Sequence, residues 1–467
     1  MRFQWAVIAF GLAAAACATP PQPAGAPALE AAAPANPNQA FIDAARAKIA
    51  KYVADNKFSG AVLVAKDGQP VLREGFALAN RELGIPVKPE TVFRLGSITK
   101  QFTAASIMQL VEAGKIGLDD PVSKYYAAAP AAWSKITVKH LLNHRSGIPS
   151  YTGLPGFFEK QLGVDRTPEQ VVELTRDMPL EFEPGAKFNY NNTGYVLLGY
   201  IIEKVSGQSY ADYLSAHIFT PLGLKHSGYD DTTTLIPDRA AGYSFENGVW
   251  TNSVYISMTL PHAAGSLYST VDDLLAWEQA LFAGKVVSQA SLAAMTADYG
   301  EGYGFGLETQ DVQGHKSIGH SGGIPGFSTY MARFPDDGLT LIALGNLETA
   351  RSTSVVKDIA RLWLGLPEPP PPPTLVAVTV KPEVLDRYVG VYELMPKFNI
   401  TVARAGDGIT AQATGQGAFP LTPTSDTEFH FQEAGIRIVF PAGDGLAQSF
   451  TLFQGGERIA KRVAAPN

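Results

Sequence analysis

The chain carries one cysteine, Cys17, in 467 residues. That excludes an internal disulfide framework, a Cys-x-x-Cys redox pair and a cysteine-rich zinc site. Cations are not in surplus either: 37 Lys and Arg stand against 44 Asp and Glu, a formal charge of −7. Nucleic-acid binding draws on counterion release by excess cations, so no nucleic-acid partner is expected. No apolar run reaches the roughly 20 residues that a membrane-spanning helix needs. No Gly-rich phosphate loop or dinucleotide fingerprint stands in a strand-to-helix setting, and no repeat of solenoid or propeller period occurs.

What is present begins with a leader. Met1-Arg2 precedes an apolar stretch from Ala6 to Leu12, and small residues from Ala13 to Ala16 end at Cys17. This order reads as a secretion signal over residues 1–17 and predicts an exported protein of the periplasm or cell envelope. Ala14-Ala15-Ala16-Cys17 resembles a lipoprotein cleavage box with Ala where Leu is usual. A lipidated Cys17 would attach the chain to a membrane, whereas ordinary cleavage beside it would leave the chain soluble. Residues 18–40, almost wholly Ala and Pro, cannot bury a core and read as a tether.

Hydrophobic residues at 46% and charged residues at 17% permit a large core. Within 41–366, residues 60–64 and 339–345 read as buried strands, and residues 100–113 and 195–205 carry apolar side chains at helical spacing. Strands at both ends with helices between predict an α+β fold, an antiparallel sheet flanked by helices with a helical subdomain beside it. Pro367-Glu368 and the prolines 369–373 predict a stiff spacer over 367–376. Beyond it, residues 399–403, 409–413, 429–431, 436–440, 449–453 and 459–463 read as short strands, so 377–467 is expected to be an all-β, barrel-like domain.

Ser97-Ile98-Thr99-Lys100 places an alcohol and an amine three residues apart at the start of a predicted helix. Three residues is nearly one turn, so both side chains share a face. A helix N-terminus favours developing negative charge, and a lysine with a lowered pKa takes a serine proton. Ser354-Val355-Val356-Lys357 has the same spacing, but it lies in an amphipathic helix running towards Trp363 and reads as a chance match.

Two further elements follow in order, Tyr190-Asn191-Asn192 and Gly319-His320-Ser321-Gly322-Gly323. With the Ser-x-x-Lys tetrad they resemble the three motifs of class C β-lactamases and related D,D-peptidases and penicillin-binding proteins. The resemblance covers about residues 41–366, including Leu141-Leu142-Asn143-His144-Arg145-Ser146-Gly147. It implies a β-lactamase/transpeptidase-like sheet and a serine hydrolase working through an acyl-enzyme on a small-molecule or peptide substrate, with no cofactor and no metal. It makes Ser97 the nucleophile, Lys100 and Tyr190 its proton-handling partners, and Asn192, His320, Ser321 and Gly322 the substrate-binding residues. The backbone N–H groups of Ser97 and Gly323 become the oxyanion hole. The small C-terminal domain resembles the lipocalin-like barrels appended to some of these hydrolases.

One departure bears on substrate choice. His320 stands where the family carries a lysine that holds the substrate carboxylate, so esters, amides or D-amino-acid peptides fit better than β-lactams. Two other readings compete. Gly319 to Gly323 also fits the Gly-x-Ser-x-Gly nucleophile elbow with Ser321 as nucleophile, although no strand-to-helix setting surrounds it. Alternatively the chain is a non-hydrolytic sensor or cell-wall-binding protein that keeps the fold. His140 and His144 have the spacing of two metal ligands on a helix but no third ligand or catalytic glutamate, and read as structural or site-lining.

Overall fold

The computed structural model describes residues 37–154, 156–368, 375–395, 398–413, 418–432, 435–454 and 457–463. The expected leader with Cys17, nearly all of the expected 18–40 tether and the prolines 369–373 lie outside the described residues.

A six-stranded sheet runs in the order Glu308–Val312, His315–Ile324, Phe327–Phe334, Leu339–Gly345, Gly60–Lys66, Gln69–Phe76. Every neighbouring pair is antiparallel. All seven residues of Leu339–Gly345 are buried, because both faces of the sheet are covered and a strand so placed reads as a continuous apolar run. Alternation divides its side chains between two cores. Leu341 and Ala343, with Val62 and Val64, pack against Ile42 and Ile49 of the Gln39–Ala54 helix and Val355 and Ile359 of the Ser352–Leu364 helix. Ile342 and Leu344, with Leu63, join a larger core containing Phe102, Tyr195 and Trp277. Ser354 and Lys357 therefore belong to a helix on the face of the sheet away from Ile98 and Phe102.

Two helices in that larger core position the site. Thr99–Glu112 follows a single 3₁₀ turn, Gly96–Ile98, and is buried along nearly its whole length. Asn192–Ser206 is capped by Asn191, whose side-chain oxygen accepts the Gly194 N–H at 2.6 Å. It ends at Gly207, where φ of +74° suits a residue without a β-carbon. Gly319 to Gly323 sits inside the His315–Ile324 strand, followed by a return strand rather than a helix. Ser321 is not on a nucleophile elbow.

The C-terminal strands close an eight-stranded antiparallel barrel, in which Gly390–Met395 pairs with Glu457–Val463. Its centre is filled by Tyr388, Tyr392, Phe429, Phe440 and Phe450. The sequence pattern named six of the eight strands. It passed over Gly390–Met395 and Phe419–Pro423, the latter carrying two prolines that cannot donate to a ladder. The fold is thus β-lactamase/transpeptidase-like, with a closed barrel at its C-terminal end.

Candidate active site

Ser97 lies in the 3₁₀ turn, and Lys100 one turn further on is fully buried. Lys100 Nζ is 3.0 Å from Ser97 Oγ, 2.9 Å from Asn192 Oδ1 and 2.8 Å from the Ala264 carbonyl oxygen. The last two are obligate acceptors and take two N–H bonds. Whatever the amine presents to Ser97 is then decided by its protonation: a third N–H when charged, a lone pair when neutral. Burial holds the Lys100 ammonium well below its ordinary value, with the Glu308 charge opposing in part. An amine so held can accept the proton of the hydroxyl it faces.

Tyr190, half-buried in the loop before the second helix, lies over this group: its ring centroid is 4.8 Å from Lys100 Nζ. Burial pushes its phenol well above the ordinary value, and the Ser97 hydroxyl beside it works in the opposite direction. Asn192 donates from Nδ2 to Thr152 Oγ1 at 3.1 Å, which fixes Oδ1 towards Lys100. The structure thus brings Ser97, Lys100, Tyr190 and Asn192 together from segments distant in sequence.

The third motif reaches the same place by backbone contact. A β-carbon at Gly322 would meet the Leu95 carbonyl oxygen at 2.0 Å, and one at Gly96, where φ is +56°, would meet Gly323 N at 2.8 Å. Glycine at both positions lets the strand close against the turn that carries Ser97. Gly323 itself is exposed and lines a cavity of about 310 Å³ together with Ser97 and Asn192. Aromatic and aliphatic side chains, among them Tyr151, Phe157, Leu260 and Phe327, form most of the remaining wall.

His320 departs from the expectation that it faces substrate. It is 1% exposed and does not line the cavity. Its Nδ1 lies 2.5 Å from the Ser321 carbonyl oxygen, which can only accept, so Nδ1 carries the proton and Nε2 accepts from the Tyr303 hydroxyl at 2.9 Å. Burial lowers its pKa, against the pull of Glu308. Ser321 Oγ donates to Glu308 Oε1 at 3.2 Å, and Gly322 is buried. This edge of the site holds a neutral imidazole beside the Glu308 carboxylate. Sequence reasoning missed Ala264, Thr152, Tyr303 and Glu308; the first contributes only a carbonyl, and the others carry no spacing signal. His140 caps the Val138–Leu142 helix, accepting the Thr137 N–H at Nδ1.

Comparisons with known proteins bear on the family of the chain. A family model for Beta-lactamase matches residues 45–362. Penicillin-binding protein 4* of Bacillus subtilis (strain 168) is 30% identical over 432 residues, covering 86% of this chain and 94% of the relative. A D-aminopeptidase of Gluconobacter oxydans (strain 621H) is 28% identical over 399 residues, 77% of this chain and 72% of the relative. Among solved structures, the octameric penicillin-binding protein homologue from Pyrococcus abyssi superposes with a TM-score of 0.63 at 30% identity, covering 90% of this chain and 100% of its own. A matched segment that runs from the first helix to the last of the sheet domain, and contains each of the three motifs in order, leaves one assignment: the chain belongs to the β-lactamase family.

Proposed function

We propose that the protein is a serine hydrolase that cleaves an amide or ester through an acyl-enzyme on Ser97. The observation that carries this is the buried Lys100 amine, 3.0 Å from Ser97 Oγ with its two other directions committed to acceptors. In the first step Ser97 Oγ bonds to the substrate carbonyl carbon and the carbonyl opens to an oxyanion facing the N–H groups of Ser97 and Gly323. The hydroxyl proton passes to the Lys100 lone pair. Collapse breaks the bond to the leaving group, which departs with a proton relayed by Lys100 and the Tyr190 phenol. Water repeats the sequence on the ester and frees Ser97.

The largely apolar wall supports an acyl group with an aromatic or aliphatic side chain. The Glu308 carboxylate beside His320 supports substrates without a carboxylate at that edge, in keeping with amides of amino acids; the related D-aminopeptidase supports that chemical class. A fluorophosphonate probe followed by intact mass tests the reading: one adduct is expected, lost in Ser97→Ala. A chain that stays unmodified would instead be a binding protein on the same fold.

A further inference from the structure

Tyr190 is held from both sides by one residue. His144 accepts the Asn189 N–H at its carbonyl oxygen, 2.9 Å away, and the Asn191 N–H at its ring Nδ1, 3.0 Å away. The imidazole packs against the phenol ring between them, with centroids 4.3 Å apart. His144 is itself 1% exposed, with rings of Tyr195 at 5.0 Å and Tyr303 at 4.6 Å closing the other sides. Its φ of +58° is a left-handed conformation that histidine and asparagine accept more readily than most side chains. We infer that His144 is the positioning residue for Tyr190, a fixed neutral acceptor that sets where the phenol stands relative to Ser97 and Lys100.

The chemistry of the ring follows from its partners. Nδ1 receives a backbone N–H, so the proton sits on Nε2, a buried nitrogen without a hydrogen-bond partner among the described residues. A second proton on the ring would set N–H against N–H at Nδ1. Burial keeps the pKa of His144 well below its ordinary value, and a proton on Lys100 or His320 would push it in the same direction. The imidazole therefore holds geometry and transfers no proton in the reaction.

This rests on the proposed role of Tyr190, and the experiment separates the two. Asparagine places its side-chain oxygen where Nδ1 stands and tolerates the backbone conformation, whereas glutamine places its oxygen nearer to Nε2. His144→Asn, His144→Gln and His144→Ala, each alone and with Tyr190→Phe, are compared for modification of Ser97 by a fluorophosphonate, with kinact resolved from KI, and for thermal midpoint. The expected result is a kinact within about tenfold of wild type for Asn, and a loss of about a hundredfold for Gln and Ala at unchanged KI. In the Tyr190→Phe background those differences shrink to about threefold or less. Equal rates for Asn and Gln, or an alanine penalty undiminished by Tyr190→Phe, overturn the inference; should the alanine variant not fold, Asn against Gln decides. Slow labelling in Tyr190→Phe beside full-speed His144 variants sinks the inference alone. Full-speed labelling in Tyr190→Phe removes the role of Tyr190 and the inference with it.

Discussion

Gly96 faces the backbone of Gly323 so closely that a β-carbon on Gly96 would stand 2.8 Å from the Gly323 nitrogen. Backbone atoms on both sides cannot yield as a flexible side chain can. The residue also has φ of +56°, where a β-carbon is strained. Gly96→Ala should separate the N–H of Ser97 from that of Gly323 and slow acylation about a hundredfold, the scale of losing one oxyanion donor. Fluorophosphonate labelling rates measure this, and a wild-type rate would show that the two N–H groups do not act as a pair.

On the proposed mechanism Lys100 gives the reaction its dependence on pH. The neutral amine is the reactive form, so acylation should fall as acid returns the proton, along one limb that disappears in Lys100→Ala. The same displacement affects stability. The folded state binds the Lys100 proton more weakly than the unfolded chain does. Between the lowered value and the ordinary 10.5 the unfolded chain thus carries more protons, and stability from this group rises with pH across that window. Urea unfolding of wild type and Lys100→Met over that range should diverge in favour of the wild type as pH increases; parallel curves would contradict the burial.

The segment before Ser97 is anchored by a buried carboxylate. Asp230 Oδ2 accepts from Arg94 Nε at 2.8 Å and Arg239 Nη1 at 3.0 Å, and its side chain is fully buried. Asp230→Ala leaves both guanidinium groups without that partner and should cost about 3 kcal/mol or more. Denaturant titration reads the loss, and a change below about 0.5 kcal/mol would place the anchor elsewhere.

Charge at position 320 should tune substrate choice. His320→Lys brings an ammonium beside Glu308, whose carboxylate lies 3.8 Å from the present Nδ1. Position 320 does not line the cavity, so the ammonium acts by offsetting the Glu308 charge, and the ratio of kcat/KM for a carboxylate-bearing chromogenic lactam over a neutral aryl ester should rise by up to about tenfold. An unchanged ratio would mean that this edge does not read substrate charge.

How far the sequence carries these conclusions depends on whether a contact has a local signature. Ser97 and Lys100 share a helical turn, so their spacing is legible, as is the apolar run of Leu339–Gly345 that both faces of the sheet bury. The buried attitude of His320 is not, because its partner Tyr303 comes from a loop with no periodicity. Ala264 acts through its carbonyl, which every residue owns. In the barrel, Phe419–Pro423 escaped notice because its prolines mimic a turn signal.

The pairing of Gly60–Lys66 with Leu339–Gly345 joins segments from opposite ends of the same domain. A ribosome that has delivered the first half of the chain has supplied Gly60–Lys66 with its hairpin partner Gln69–Phe76, but the neighbour on its other edge does not yet exist. The central sheet can assemble only after nearly all of the domain has been synthesised, and such long-range closure is slow. The early hairpin must wait with one edge open, so a chaperone that shields that edge during synthesis should raise the yield of native protein.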